Sequence, residues 1–299
     1  MSLSIHEVTK RFGDVTAVDN LTLSVDRGQM FGMLGANGAG KTTTFRMILG
    51  LLKPSKGTIH WSGQKLDDKS RHLVGYLPEE RGLYPKLTVE KQLVFLGRLR
   101  GMRKHDVLRE MNTWLERFRI TTYANKKIEE LSKGNQQKIQ FIAAVLHRPD
   151  LIILDEPFSG LDPVNVELLK QAVTELKNEG MTILFSSHRM EHVEELCEHV
   201  CIMHHGRPVV SGALQDIKRQ HQMKHVLIQS DDDIAFLRHV PGVLNFNPSP
   251  SGTRIQVADE TVAEQLFHEV VRIGYARKFV VEEPTLNDIF IEKVGAVNA

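Results

Sequence analysis

Eight consecutive residues, Gly35-Ala36-Asn37-Gly38-Ala39-Gly40-Lys41-Thr42, constrain this chain more than any other stretch. They fit G-x-x-x-x-G-K-[ST], a pattern whose glycines let backbone N–H groups close around phosphate oxygens with no side chain in the way. Such a loop needs a strand before it and a helix after it. The apolar run QMFGMLG enters it, and TTTFRMILGLL leaves it with apolar residues at helical spacing. The pattern predicts a nucleotide phosphate as ligand and by itself fits a kinase, a GTPase or a helicase equally, with Lys41 reaching the β- and γ-phosphates and Thr42 ligating Mg²⁺. Gly35, Asn37, Gly38, Ala39, Gly40 and Thr43 are the remaining cradle candidates.

Hydrolysis also needs acids. Leu151-Ile152-Ile153-Leu154-Asp155-Glu156 puts two carboxylates at the end of an apolar run, where an unpaired charge is costly unless it meets a metal or a reacting water. Asp155 suits Mg²⁺ and Glu156 suits the general base. A second apolar run, TILFSS (182–187), follows the helical pattern VNVELLKQAVTELKNEG, so the two runs read as buried parallel strands joined by a crossover.

Strands are also expected over 3–12, 16–25 and 29–35 and around HLVGYLP, and helices over most of 88–148. This predicts a helical subdomain inserted in an α/β core. From about residue 216 the order becomes strand (HVLIQ), helix (DIAFLRHV), strand, strand, helix, strand and a closing helix, which suggests a small α+β, ferredoxin-like domain. The expected domains are 1–215 and 216–299.

Lys and Arg total 38 against 37 for Asp and Glu, a formal net charge of +1, so no long-range field recruits nucleic acid or acidic lipid. The two cysteines, Cys197 and Cys201, lie four apart in an expected helix and make no disulfide framework. The opening MSLSIHEVTKRF lacks the apolar core of a signal peptide, and no run approaches the roughly 18 apolar residues of a spanning helix. The expected home is a reducing cytoplasm. His188, His192, Cys197, His199, Cys201, His204 and His205 are dense enough to raise a metal site, but the ligand spacing of structural zinc sites is missing.

Leu131-Ser132-Lys133-Gly134-Asn135-Gln136-Gln137 resembles the LSGGQ signature of ABC-type ATPases. Phe158-Ser159-Gly160-Leu161-Asp162 resembles that family's D-loop, Ser187-His188 its switch histidine, and Phe12 the aromatic that stacks on adenine, with Val18 beside it. The matches span residues 3 to about 215 and imply the P-loop nucleotide-hydrolase core of the ABC type, with antiparallel β and helical subdomains. The resemblance further implies a head-to-tail dimer, homomeric or with a second ATP-binding subunit. Each ATP would lie between one phosphate loop and the Ser132, Gly134 and Asn135 signature of the other subunit. It also makes His188 and Lys41 catalytic alongside Glu156. Integral-membrane permease subunits are the implied partners, docked through residues 79–90, with this chain peripheral on the inner face of the cell membrane. The C-terminal pattern Glu283-Pro284-Thr285-Leu286-Asn287-Asp288-Ile289-Phe290 resembles the domain appended to sodium, antibiotic and peptide exporters, which favours export.

Three positions depart from the family. Glu79 stands where the loop joining core and helical subdomain usually has Gln; it can offer oxygen to a metal but cannot donate as an amide does. Lys133 and Asn135 replace signature Gly and Gln. The alternative is a soluble ABC-type ATPase acting on ribosome or DNA. Ribosome-acting members resemble two fused cores and DNA-repair members carry long coiled coils, whereas this chain has one core with about 90 residues between loop and signature. A scaffold that binds ATP without turnover is opposed by retention of Lys41, Asp155, Glu156 and His188.

Overall fold

The structure is a computed structural model and describes residues 3–65, 73–80, 82–221 and 223–298. It divides into two compact units, Met1–Gly212 and Ala213–Ala299.

In the first unit, alternating burial makes β1 (Leu3–Phe12) and β2 (Val15–Val25) half-covered strands, while β3 (Met30–Leu34) is buried at all five positions. After the glycine loop come α1 (Lys41–Ile48), β4 (Lys56–Trp61), β5 (Gln64–Lys65) and β6 (Val74–Leu77). The helical insertion holds α2 (Val89–Leu99), α3 (Lys104–Arg117) and α4 (Lys133–Val145), with Thr88 and Ser132 as side-chain N-caps of the first and last. The core resumes with β7 (Leu151–Asp155), α5 (Pro163–Asn178), β8 (Thr182–Ser187), α6 (Met190–Leu196), β9 (His199–His204) and β10 (Arg207–Ala213). Asp162 caps α5, and Pro163 fits its first turn because the N–H it lacks would have had no helical partner.

Two sheets result. One is antiparallel in the order β2-β1-β4-β5; the other runs β10-β9-β3-β8-β7-β6, with β9, β3, β8, β7 and β6 parallel to one another. A single apolar core draws on both sheets and on Phe45, Met47 and Ile48 of α1. The helix after the phosphate loop is therefore fixed from both sides, and the carboxyl ends of β3, β7 and β8 converge where an open α/β sheet binds ligands.

One expectation is corrected here. Cys197 and Cys201 do not share a helix: α6 ends at Leu196, and Cys201 lies in β9 opposite Met33 of β3. Val200-Cys201-Ile202-Met203 is buried on both faces, a pattern that a central parallel strand satisfies and a surface helix does not. Burial also pushes both thiols up, Cys201 to about 12, so neither is a reactive thiolate.

The second unit begins with α7 (Leu214–Gln220) and β11 (Lys224–Ser230). Where DIAFLRHV predicts a helix, a short 3-10 turn over Ala235–His239 forms instead. Pro241 forbids helical geometry at the residue before it, which cuts the segment too short to propagate. Then come β12 (Val243–Ser249), β13 (Gly252–Val257), α8 (Glu260–Ile273), β14 (Ala276–Glu282) and α9 (Leu286–Asn298). The sheet order β12-β13-β11-β14 with antiparallel neighbours is the ferredoxin-like arrangement, and its core packs Leu266 and Val270 of α8 against Val226, Ile228 and Ile255.

Candidate active site

Two glycines decide the loop's shape. A Cβ at Gly35 would come 2.4 Å from the Met203 carbonyl oxygen, and at Gly40, with φ of 103°, 2.6 Å from that of Ala17. Neither position accepts a side chain. Ala36, Asn37 and Gly38 form the exposed crest, Ala39 is buried, and Thr43 is half-buried on α1. Gly40 begins α1 without a side-chain cap, so the first-turn N–H groups are left to an anion. Lys41 is 6% exposed and arches back over its own loop, its Nζ donating to the carbonyls of Gly35 at 2.6 Å and Ala36 at 3.3 Å. Burial lowers its pKa, against the pull of Glu156, Asp155 and, more weakly, Glu79. A buried cation facing uncapped amides is a fitting seat for phosphate.

Asp155 ends β7 wholly buried. Its Oδ2 accepts from Thr42 Oγ1 at 2.9 Å and its Oδ1 from Ser186 Oγ at 2.6 Å. Thr42 and Asp155 are hard oxygen donors, two protein ligands of the kind Mg²⁺ takes when phosphates and water complete its shell. Next to it Glu156 sits in left-handed backbone geometry, φ 50°, and its N–H donates to the same Ser186 oxygen at 3.1 Å. One hydroxyl thus orients both acids.

The Glu156 carboxylate is 6% exposed. Its Oε2 lies 2.8 Å from Nδ1 of the half-exposed His188, and its Oε1 is 3.9 Å from Lys41 Nζ with no hydrogen-bond partner among the described residues. Burial pushes its pKa up, while the charges of His188 and Lys41 pull it down. A buried carboxylate with one fixed and one vacant oxygen has the form of a general base.

Other candidates are more dispersed. Phe12 stands 47% exposed at the turn of the β1–β2 hairpin, paired with exposed Val15, so it is not core filler and presents a ring to solvent. Val18 requires a correction: it is wholly buried, packed where a Gly40 side chain would reach its Cγ2, and it offers no surface to adenine. Its place is beneath the loop. Glu79 is exposed, within electrostatic reach of Lys41 and Tyr76.

Ser132 is exposed and caps α4 by accepting from the Asn135 N–H at 3.3 Å, with Gly134 and Asn135 half-buried behind it. Three glutamines tie α4 to its surroundings. Gln136 donates to the carbonyls of Ile128 and Leu131, Gln137 to that of Pro157 at 2.9 Å, and Gln140 to those of Pro78 and Glu80, both at 3.1 Å. The histidines that raised a metal site are scattered: His192 packs edge-on to Phe158, His199 meets Gln29, and His204 meets His205 edge-on.

Sequence reading missed Ser186 and Tyr76. Ser186 belongs to TILFSS, and only the β7–β8 register, which sets it opposite Asp155, reveals its role. Tyr76 in β6 is pushed up to about 12 by burial and by Asp155.

Compared with known proteins, the family described as ABC transporter matches residues 18–159. The ABC transporter ATP-binding protein YhaQ of Bacillus subtilis (strain 168) is 61% identical over 295 residues, 99% of each chain. The chain belongs to the ABC transporter ATP-binding subunits. Residues 212–294 of this subunit match the C-terminal domain of DrrA1-3-like ATP-binding proteins. Nod factor export ATP-binding protein I of Burkholderia lata (strain ATCC 17760 / DSM 23089 / LMG 22485 / NCIMB 9086 / R18194 / 383) is 34% identical, over 87% of this subunit and 84% of its own length. A solved ATP-binding subunit of an ABC transporter is 34% identical, with TM-score 0.69, covering 74% of this chain and 93% of its own. The ribosome- or DNA-acting alternative is not favoured by these matches.

Proposed function

We propose that this ABC subunit hydrolyses ATP to ADP and phosphate and powers export through separate membrane permease subunits. The observation that carries the reading is the Glu156 carboxylate, buried, with Oε2 held by His188 and Oε1 vacant beside Lys41. Glu156 takes the proton of the attacking water as its oxygen bonds to the γ-phosphorus, and the β–γ bridge breaks to leave ADP. His188 holds the base in place, and Lys41 binds β- and γ-oxygens. Thr42 and Asp155, with Glu79 as a further candidate, would hold Mg²⁺, which would supply neutralisation of phosphate charge. Phe12 stacks on the adenine.

Ser132, Gly134 and Asn135 complete the site of a second ATP-binding subunit, identical or not. The exposed N-terminus of α4, where the Ser132 hydroxyl caps only the Asn135 N–H and the helix dipole favours an anion, supports this, since hydrolysis then removes the group that holds the two subunits together. For the permease, residues 79–90 are the docking segment, with Arg81 outside the described residues. Its exposed Tyr84 ring meets exposed Phe95 of α2 edge-on at 6.0 Å, and buried Gln92 anchors the Tyr84 N–H at 2.9 Å. No helix among the described residues is long and apolar enough to cross a membrane, so docking at the inner face rests on this contact. Export direction rests on the Nod factor relative and the C-terminal domain.

The test is Glu156→Gln. Phosphate release should fall by at least about a hundredfold while ATP binding persists and an ATP-dependent dimer accumulates on size exclusion. Turnover within tenfold of the parent would remove Glu156 as base.

A further inference from the structure

The C-terminal sheet has two outer strands, β12 and β14, and they are built differently. β12 is defended against pairing: it carries Pro248, polar Asn245 and Asn247, and a register irregularity between Val243 and Asn245. β14, Ala276-Arg277-Lys278-Phe279-Val280-Val281-Glu282, has no proline; its one register irregularity falls at Arg277, leaving Lys278–Glu282 regular, and Val280 and Val281 are 36% and 43% exposed. Its charge is polarised: Arg277 and Lys278 lie at one end and Glu282 at the other, with Glu283 just past the strand.

That polarity is self-complementary. We propose that β14 binds a second copy of this chain, strand to antiparallel strand about a two-fold axis at Val280, and doubles the width of the C-terminal sheet. Counting outward from the axis, Phe279 meets Val281 of the other copy and Lys278 meets Glu282. Residues directly opposite share a face, so each pair is in contact range. Among the described residues Lys278 and Glu283 have no ion-pair partner, whereas Arg277 is paired with Asp231 and Glu282 with Arg254 at 2.6 Å. The Lys278–Glu282 contact thus joins an unpaired charge to the existing Glu282–Arg254 pair, forming a network rather than an isolated contact.

Phe279 and Val281 align with wholly buried Ile228 and Val226, which places them on the face that α8 covers. There Phe267 meets Phe279 edge-on at 5.1 Å, and Phe267 and Val271, one turn apart on α8, remain exposed. The seam therefore has an apolar flank that a second copy supplies in kind, as an isologous interface requires.

Sedimentation velocity on the full chain without nucleotide tests this apart from the ATP-dependent dimer. The expected result is a reversible monomer–dimer equilibrium at micromolar concentration that weakens with salt. Lys278→Glu and Glu282→Lys should each raise the dimer dissociation constant by about tenfold or more, since like charges then face across the axis. Mixed in equal amounts, the two variants should recover association as a heterodimer, because both facing pairs are then Glu–Lys. Unchanged melting temperatures of the variants separate lost association from lost fold. A parent that stays monomeric throughout, variants that dimerise like the parent, or a mixture that stays monomeric would each overturn the proposal.

Discussion

Ser186→Ala removes the hydroxyl that serves both acids, and its cost follows from the geometry. The 2.6 Å bond to buried Asp155 Oδ1 is charge-assisted and contributes about 1.5–3 kcal/mol; the Glu156 N–H left behind is orphaned at about 1–3 kcal/mol. Allowing for overlap, the loss is about 3–5 kcal/mol. In a unit of this size, Met1–Gly212, each kcal/mol moves the melting temperature by about 2–4 °C, so calorimetry should show a drop of roughly 6–20 °C. The same bond helps hold Glu156 at φ 50°, a conformation that costs a residue with a side chain roughly 1–2 kcal/mol. Freed of it, the base drifts, and kcat should fall about 10- to 100-fold with the KM for ATP nearly unchanged, the pattern of a supporting residue rather than a binding one. A Ser186→Ala chain that melts within 2 °C of the parent on the scale of that estimate, with unchanged kcat, refutes the reasoning.

Gly40→Ala forces a methyl to 2.6 Å from a backbone oxygen at a φ that favours glycine, so calorimetric ATP affinity should fall more than about tenfold; parental affinity would refute the steric argument. Burial holds the Glu156 carboxyl above the usual carboxylate range, and only the ionised form accepts a proton, so kcat/KM should fall as pH drops through that raised value. His188 pulls the same pKa down, so in His188→Ala whatever activity remains should lose its acid limb at higher pH than the parent; a shift to lower pH reverses the assignment. Phe12→Ala should weaken ATP binding about two- to tenfold by titration and leave the melting temperature alone, since the ring is half-exposed; a large thermal shift would make it a core residue.

What could be read from the sequence was what backbone chemistry fixes locally. The phosphate loop is legible because Gly35 and Gly40 tolerate no side chain, and the acids because a charge ending an apolar run needs a reason to be there. Ser186 was illegible for the opposite reason: a serine in a buried strand acquires meaning only when register sets it against Asp155. Likewise Val18 looked like a neighbour of Phe12, and only packing shows that strand alternation turns it inward under the loop. Cys201 misled because four-residue spacing fits a helix as readily as two separate elements, and the choice was made by β3, far away in sequence.

The glutamines of α4 have a mechanical meaning. Gln137 and Gln140 reach from one helix to two loops, the one after Glu156 and the one bearing Glu79, by donating amide hydrogens to main-chain oxygens rather than to side chains. Main-chain oxygens cannot rotate away. A displacement of either loop therefore drags α4 or strands a buried amide at about 1–3 kcal/mol, and the helix tip with Ser132 and Gly134 travels as a follower, with one subunit's acids and its outward-facing signature moving in step.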